Sequence, residues 1–122
     1  MNNESRKKLL VADDREDVVN GLKGMLEQIY DVDTAMSGLE VMRKCQTTQY
    51  FGLLIDIRFD SGISGVEAAA SVRATNKEII IIVFSGYEYS DAIRRKVIEI
   101  GAQFMQKPLT LEAVQRRLGE QQ

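Results

Sequence analysis

Three short, unbroken apolar runs, Leu9-Leu10-Val11-Ala12, Leu53-Leu54-Ile55 and Ile79 to Phe84, are separated along the chain by segments of helical period. Apolar runs this short, without polar alternation, suit parallel strands covered on both faces, so these three are predicted to be central. Tyr30 to Ala35 instead alternates, with Tyr30, Val32 and Thr34 on one face and Asp31 and Asp33 on the other. Gln103-Phe104-Met105-Gln106 is apolar only in its middle. Both read as edge strands. No repeat, low-complexity tract or Pro/Ser-rich linker interrupts the alternation. The reading is one α/β domain over residues 1–122, with its core from about 8 to 118. It is (βα)5: a five-stranded parallel sheet, doubly wound by right-handed crossovers, in strand order 2-1-3-4-5.

The helical segments carry start signals. Ser37-Gly38-Leu39-Glu40 and Ser64-Gly65-Val66-Glu67 fit a capping box, and Asp14 with Asp17 resembles one. The first helix is expected to turn Val18, Val19, Leu22, Met25, Leu26 and Ile29 inward. The third is rich in small residues at Ala68-Ala69-Ala70, which permits close approach to the strands. Ile93, Val97 and Ile100 form the inner stripe of the fourth helix, with Gly101 as its cap. The fifth starts near Thr110, with Leu111, Val114 and Leu118 inward.

Composition removes several chemistries. With no histidine and the single cysteine Cys45, the chain holds no Ser-His-Asp or Cys-His nucleophile, no Cys/His zinc cluster and no internal disulfide. Any phosphohistidine must come from a partner. Sixteen basic against 18 acidic side chains leave no basic footprint for nucleic acid, and Arg94-Arg95-Lys96 reads as a solvated helix face. The longest apolar run is far below the ~20 residues needed to span a bilayer, and MNNESRKK leads into no signal-peptide core. A cytoplasmic protein without membrane contact is expected.

In doubly wound sheets, ligands bind at the carboxyl ends of the strands beside the switch in strand order. The first strand ends in Asp13-Asp14, the third in Asp56, the fourth in Ser85-Gly86 and the fifth in Lys107-Pro108. Three carboxylates brought together repel one another unless they are protonated or bridged by a cation. An all-oxygen, histidine-free set suits a hard cation, Mg²⁺ first and Mn²⁺ as the alternative. A lysine and a hydroxyl opposite are donors for an anion sharing the site. Together these groups suit phosphoryl transfer with a carboxylate as acceptor.

From Lys8 to about Leu118 the chain resembles the receiver domains of two-component response regulators, which share a flavodoxin-like fold. The resemblance is carried by Leu-Val-Ala-Asp13-Asp14, Leu-Leu-Ile-Asp56, Ser85-Gly86, Gly101-Ala102, Phe104 and Lys107-Pro108. It implies Asp56 as the phosphoacceptor, and Asp13, Asp14, Asp56 and the backbone carbonyl of Arg58 as the metal site. Ser85 and Lys107 would hold the phosphoryl oxygens, and the Lys107-Pro108 peptide bond would be cis. Ser85 and Phe104 would form the switch that reports phosphorylation to the surface of the fourth helix, fifth strand and fifth helix. The implied partners are a sensor histidine kinase or histidine phosphotransfer protein, an output domain or partner protein, and a second copy through that same surface. The domain would not be an enzyme beyond its own phosphorylation and dephosphorylation.

The sequence departs from the family at the loop after Asp56, Ile-Arg-Phe-Asp-Ser-Gly-Ile-Ser-Gly, which lacks the usual proline and is one residue longer. It is one residue shorter before Phe104, and Leu109 replaces a common aromatic, so the fourth helix and its dimer surface are expected to differ from the family form. Arg58 and Tyr87, two residues past Asp56 and Ser85, are expected to slow hydrolysis of the aspartyl phosphate. A haloacid-dehalogenase-like phosphatase would need a second Asp where Arg58 stands, and a flavodoxin-type nucleotide binder would need a glycine-rich loop after the first strand. The remaining alternative is a phosphorylation-independent, receiver-like interaction module.

Overall fold

A computed structural model describes residues 6–59, 62–86 and 89–119. Five strands, β1 (Lys8–Ala12), β2 (Asp31–Ala35), β3 (Gly52–Asp56), β4 (Ile80–Ser85) and β5 (Gln103–Gln106), alternate with five helices. The helices are α1 (Glu16–Leu26), α2 (Gly38–Thr47), α3 (Gly65–Thr75), α4 (Asp91–Glu99) and α5 (Leu111–Arg117). All pairings are parallel, in the order β2-β1-β3-β4-β5. The three unbroken apolar runs are central and the two mixed ones are edges, as their patterns predict.

Because successive side chains of a strand point to opposite faces, each apolar run builds two cores. Leu10, Leu53, Ile55, Ile81 and Val83 pack under Val41, Ala68, Ala69, Val72 and Val97 of α2, α3 and α4. Leu9, Val11, Leu54, Ile82 and Phe84 pack under Leu26 and Val114 of α1 and α5, with Leu118 just beyond α5. Ala68 and Ala69 are fully buried, so α3 lies close on the sheet.

The helix starts follow the sequence with two corrections. Ser64 and Glu67 form a complete capping box, and Thr110 accepts from the Ala113 N–H. Ser37 likewise caps α2, but Glu40 accepts from Met36 N–H, 2.7 Å away, rather than from its own N-cap. At α1 the Asp14/Asp17 box does not form. Asp13 Oδ1 accepts the Arg15 N–H at 3.0 Å, which holds the chain extended one residue further, so Arg15 becomes the N-cap. Asp14 is thereby left on the rim of the sheet, where it lines a pocket. Helix α1 also ends before Ile29, which is exposed rather than part of the inner stripe.

Helix α4 buries only Val97. Its carboxyl end is held from α3, where Arg73 donates from Nε to the Ile100 carbonyl at 2.6 Å and from Nη2 to that of Gly101 at 3.2 Å. Gly101 takes φ +70°, the left-handed turn that ends the helix. These bonds satisfy carbonyls at the negative end of the helix dipole, so Arg73→Ala is expected to cost about 1–2 kcal/mol. Hydrogen exchange should show the loss as faster amide exchange in α4 than in α3.

Candidate phosphoacceptor site

The carboxyl ends of β1, β3, β4 and β5 meet at one rim of the sheet. Ser85 pairs in register with Gln106, Asp56 with Phe84 and Ala12 with Ile55, which brings the last residues of β3 and β4 and the residues just after β1 and β5 to one rim. There Asp14, Arg15, Asp56, Arg58, Ser85 and Lys107 line a pocket of about 570 Å³. Asp13 is fully buried beside two of these residues: one carboxylate oxygen from each of Asp13, Asp14 and Asp56 lies within 4.8 Å of the others.

The charges are arranged around Asp13. Lys107 Nζ donates to Asp13 Oδ2 at 3.2 Å and stands 3.8 Å from Asp56 Oδ2. The Lys107 backbone N–H donates to the Ser85 carbonyl at 2.9 Å, and the Lys107-Pro108 peptide bond is cis. Burial pushes the Asp13 carboxyl up, but the Arg15 N–H and the Lys107 cation outweigh it and hold its pKa below the usual value. Asp56 is the opposite case. Burial and the neighbouring Asp13 charge raise its pKa to about 6, only partly offset by Lys107. Of the two, Asp56, which faces the pocket, is the weaker acid, and it is ionised above about pH 6.

Three carboxylates without a nitrogen or sulfur ligand fit a hard divalent cation. Arg58 borders the pocket and its backbone N–H reaches Asp56 Oδ1 at 3.5 Å, while Tyr87 lies outside the described residues. Phe104 does not line the pocket. It is half-buried against the α3/α4 core and stacks on Tyr89, with ring centroids 3.9 Å apart and planes within 10°. Arg94 stands over the Tyr89 ring at 5.0 Å, so one member of the basic trio on α4 is engaged with an aromatic face.

Sequence reasoning missed three of these participants. Arg15 directly follows the acidic pair, yet its guanidinium bridges Asp13 and Asp56, a contact that exists only once β1 and β3 are adjacent. Tyr89 and Arg94 carry no spacing signal toward Phe104. A larger cleft of about 810 Å³ lies at the opposite end of the sheet between the ends of α2 and α3, lined by Cys45, Gln49, Asn76 and Glu78 among others. Burial pushes the Cys45 thiol up to about 11, which keeps it from acting as a thiolate there.

No helix among the described residues is long and apolar enough to cross a membrane. Among solved structures, a CheY-like response regulator receiver domain protein of Methanospirillum hungatei superimposes with a TM-score of 0.87 at 24% identity, covering 95% of this chain and 96% of that one. The chemotaxis protein CheY4 of Vibrio cholerae gives 0.84 at 24% identity, over 94% and 98%. These likenesses show the fold. The alkaline phosphatase synthesis transcriptional regulatory protein PhoP of Bacillus subtilis is 29% identical over 92% of this chain and 47% of its own. The chain thus spans about half the length of the curated relatives it matches. The family model of the response regulator receiver domain matches residues 9–118, across all five strands and the acidic rim. This chain therefore belongs to the response regulator receiver domain family, the signalling domain of two-component systems.

Proposed function

We propose that the chain acts as one receiver unit in which Asp56 accepts a phosphoryl group from a phosphohistidine on a partner kinase or phosphotransfer protein. The observation that carries this reading is the convergence of Asp13, Asp14 and Asp56 within 4.8 Å, with Lys107 spanning Asp13 and Asp56. A lone pair on the Asp56 carboxylate forms the new O–P bond, and the bond to the donor breaks with its electron pair leaving on the donor. Lys107 and Ser85 face the same pocket and serve the transferring oxygens as donors. Asp13, Asp14, Asp56 and the Arg58 carbonyl would hold Mg²⁺, or Mn²⁺ in its place, which neutralises charge on those oxygens.

The reading extends to a switch. Ser85 is buried on β4, and Phe104 lies on the adjacent β5, two residues before the Ser85 partner Gln106. A pull on the Ser85 hydroxyl would be passed to the Phe104–Tyr89 stack and the α4–β5–α5 surface, where an output domain, a partner protein or a second copy is addressed. The relatives named as transcriptional regulatory proteins are about twice as long, which supports a role upstream of such an output, and we read that role as cytoplasmic.

The test is intact-mass analysis after incubation with a small-molecule phosphodonor, with and without Mg²⁺. The expected result is one phosphoryl group on the native chain, dependent on Mg²⁺ and absent from Asp56→Asn. No adduct, under conditions that phosphorylate a control receiver, would leave the phosphorylation-independent interaction module as the better reading. Arg58 lines the pocket that holds Asp56, and Arg58 and Tyr87 stand two residues past Asp56 and Ser85 in sequence, so the reading gives both the role of slowing attack by water on the aspartyl phosphate. Arg58→Ala and Tyr87→Ala are each expected to shorten the phosphoprotein lifetime by up to about tenfold, or about 1.4 kcal/mol of barrier. An unchanged decay of the mass adduct would remove both from this role.

A further inference from the structure

Lys107 and Arg15 both reach the acid cluster, and they are held differently. Lys107 is 20% exposed along its side chain and reaches Asp13 Oδ2 from β5. Arg15 is 56% exposed, enters from the solvent side at the start of α1, and places Nε 3.5 Å from Asp13 Oδ1 and Nη2 4.0 Å from Asp56 Oδ2. Both oxygens of the buried Asp13 thus face a cationic side chain, and Asp56 Oδ2 stands between two. The half-buried lysine is fixed by its surroundings. An exposed arginine on a flexible stem can withdraw into water at little cost.

We propose that Arg15 is a displaceable counter-ion of the acid cluster, pairing with Asp13 and Asp56 when no divalent cation is bound and yielding those carboxylates when one binds. Arg15 thereby sets the cation concentration at which the site becomes competent. The guanidinium and a divalent cation compete for the same oxygens, so the pairing weakens metal binding by the free energy needed to break it. The same pairing offsets the repulsion between Asp13 and Asp56 in the metal-free protein. The effect is one of charge and reach: a lysine keeps most of it and a neutral glutamine loses it.

This inference rests on the metal site proposed above, and it is tested without phosphodonor. Calorimetric titration with Mg²⁺ alone compares the native chain with Arg15→Gln and Arg15→Lys. Arg15→Gln is expected to bind about three- to fivefold more tightly, the size of two long ion pairs made by an exposed arginine. Arg15→Lys should stay within about twofold of native, and the gap between native and Arg15→Gln should narrow as salt is raised. In chelator, Arg15→Gln should melt below the native chain. Saturable native binding that is unchanged or weakened in Arg15→Gln would overturn the counter-ion role alone. A native chain that binds no Mg²⁺ would overturn the metal site, and this inference with it.

Discussion

Asp56→Asn ends phosphoryl transfer to the chain and also raises the melting temperature of the protein in chelator at neutral pH. The first effect is the loss of the only proposed acceptor. The second follows from the environment of Asp56, whose pKa burial and the Asp13 charge lift from 3.8 to about 6. Above about pH 6 the fold holds an ionised Asp56 that it disfavours relative to the unfolded chain, so the penalty is fully present there. As pH falls through 6 the folded state takes up a proton that the unfolded state binds only near 3.8, and stability rises. Asp13, with its pKa lowered, contributes stability that is present above 3.8 and is lost as the pH falls through its folded value. The native chain in chelator is therefore expected to be most stable between about pH 4 and 6. Asparagine preserves the shape of Asp56 without ionising, so it should gain about 2 kcal/mol at neutral pH, or roughly 5–10 °C in a domain of this size. Thermal melts across pH check the assignment: the gap between native and variant should shrink as pH falls below 6 and close as it approaches about 4. Parallel curves would place the pH dependence elsewhere in the molecule.

What could be read from the residues was whatever depends on a single strand or helix. Leu53-Leu54-Ile55 carries side chains for two cores in three consecutive positions, which only a strand covered on both faces can use. Asp13, Asp56, Ser85 and Lys107 were legible as a set because each directly follows or ends a recognisable strand, and parallel strands carry their carboxyl ends to the same rim. The side chain a residue meets at that rim was not legible. Lys107 pairs with Asp13 across 94 residues of sequence, and no spacing rule distinguishes that partner from Asp56. The Asp14/Asp17 pattern is a true helix-start signal, but Asp13 accepts the Arg15 N–H and moves the helix start by one residue. A competing bond between residues two apart overrode a capping preference worth about 1 kcal/mol. The Phe104–Tyr89 stack escaped because the two rings come from separate elements, Tyr89 from just before α4 and Phe104 from β5, and no spacing rule joins them.

Gly65→Ala should be as damaging to phosphoryl transfer as a substitution in the pocket, although Gly65 contributes no side chain. A Cβ built on Gly65 would lie 1.7 Å from the carbonyl oxygen of Asp56 and 2.8 Å from its carbonyl carbon. The obstacle is backbone on the acceptor residue itself, so no rotamer change relieves it. The Gly65 N–H also donates to the Ile57 carbonyl at 3.1 Å, which ties the first turn of α3 to the chain leaving β3. Either α3 backs away from the sheet, opening the contacts of the fully buried Ala68 and Ala69, or the Asp56 backbone moves and turns its carboxylate out of line with the pocket. Overpacking of this kind costs about 3 kcal/mol, and a misplacement near 1 Å at a reacting group costs about 100-fold in rate. Ser64→Ala separates this from helix capping: it removes the side-chain bond to the Glu67 N–H, costing about 1 kcal/mol, and leaves the approach to Asp56 intact. In denaturant melts paired with adduct formation under Mg²⁺ and phosphodonor, Ser64→Ala should lose stability and keep its phosphorylation rate. Gly65→Ala should lose both. Equal rates for the two variants would mean that the glycine serves the capping box alone and that Asp56 is positioned by β3 without help from α3.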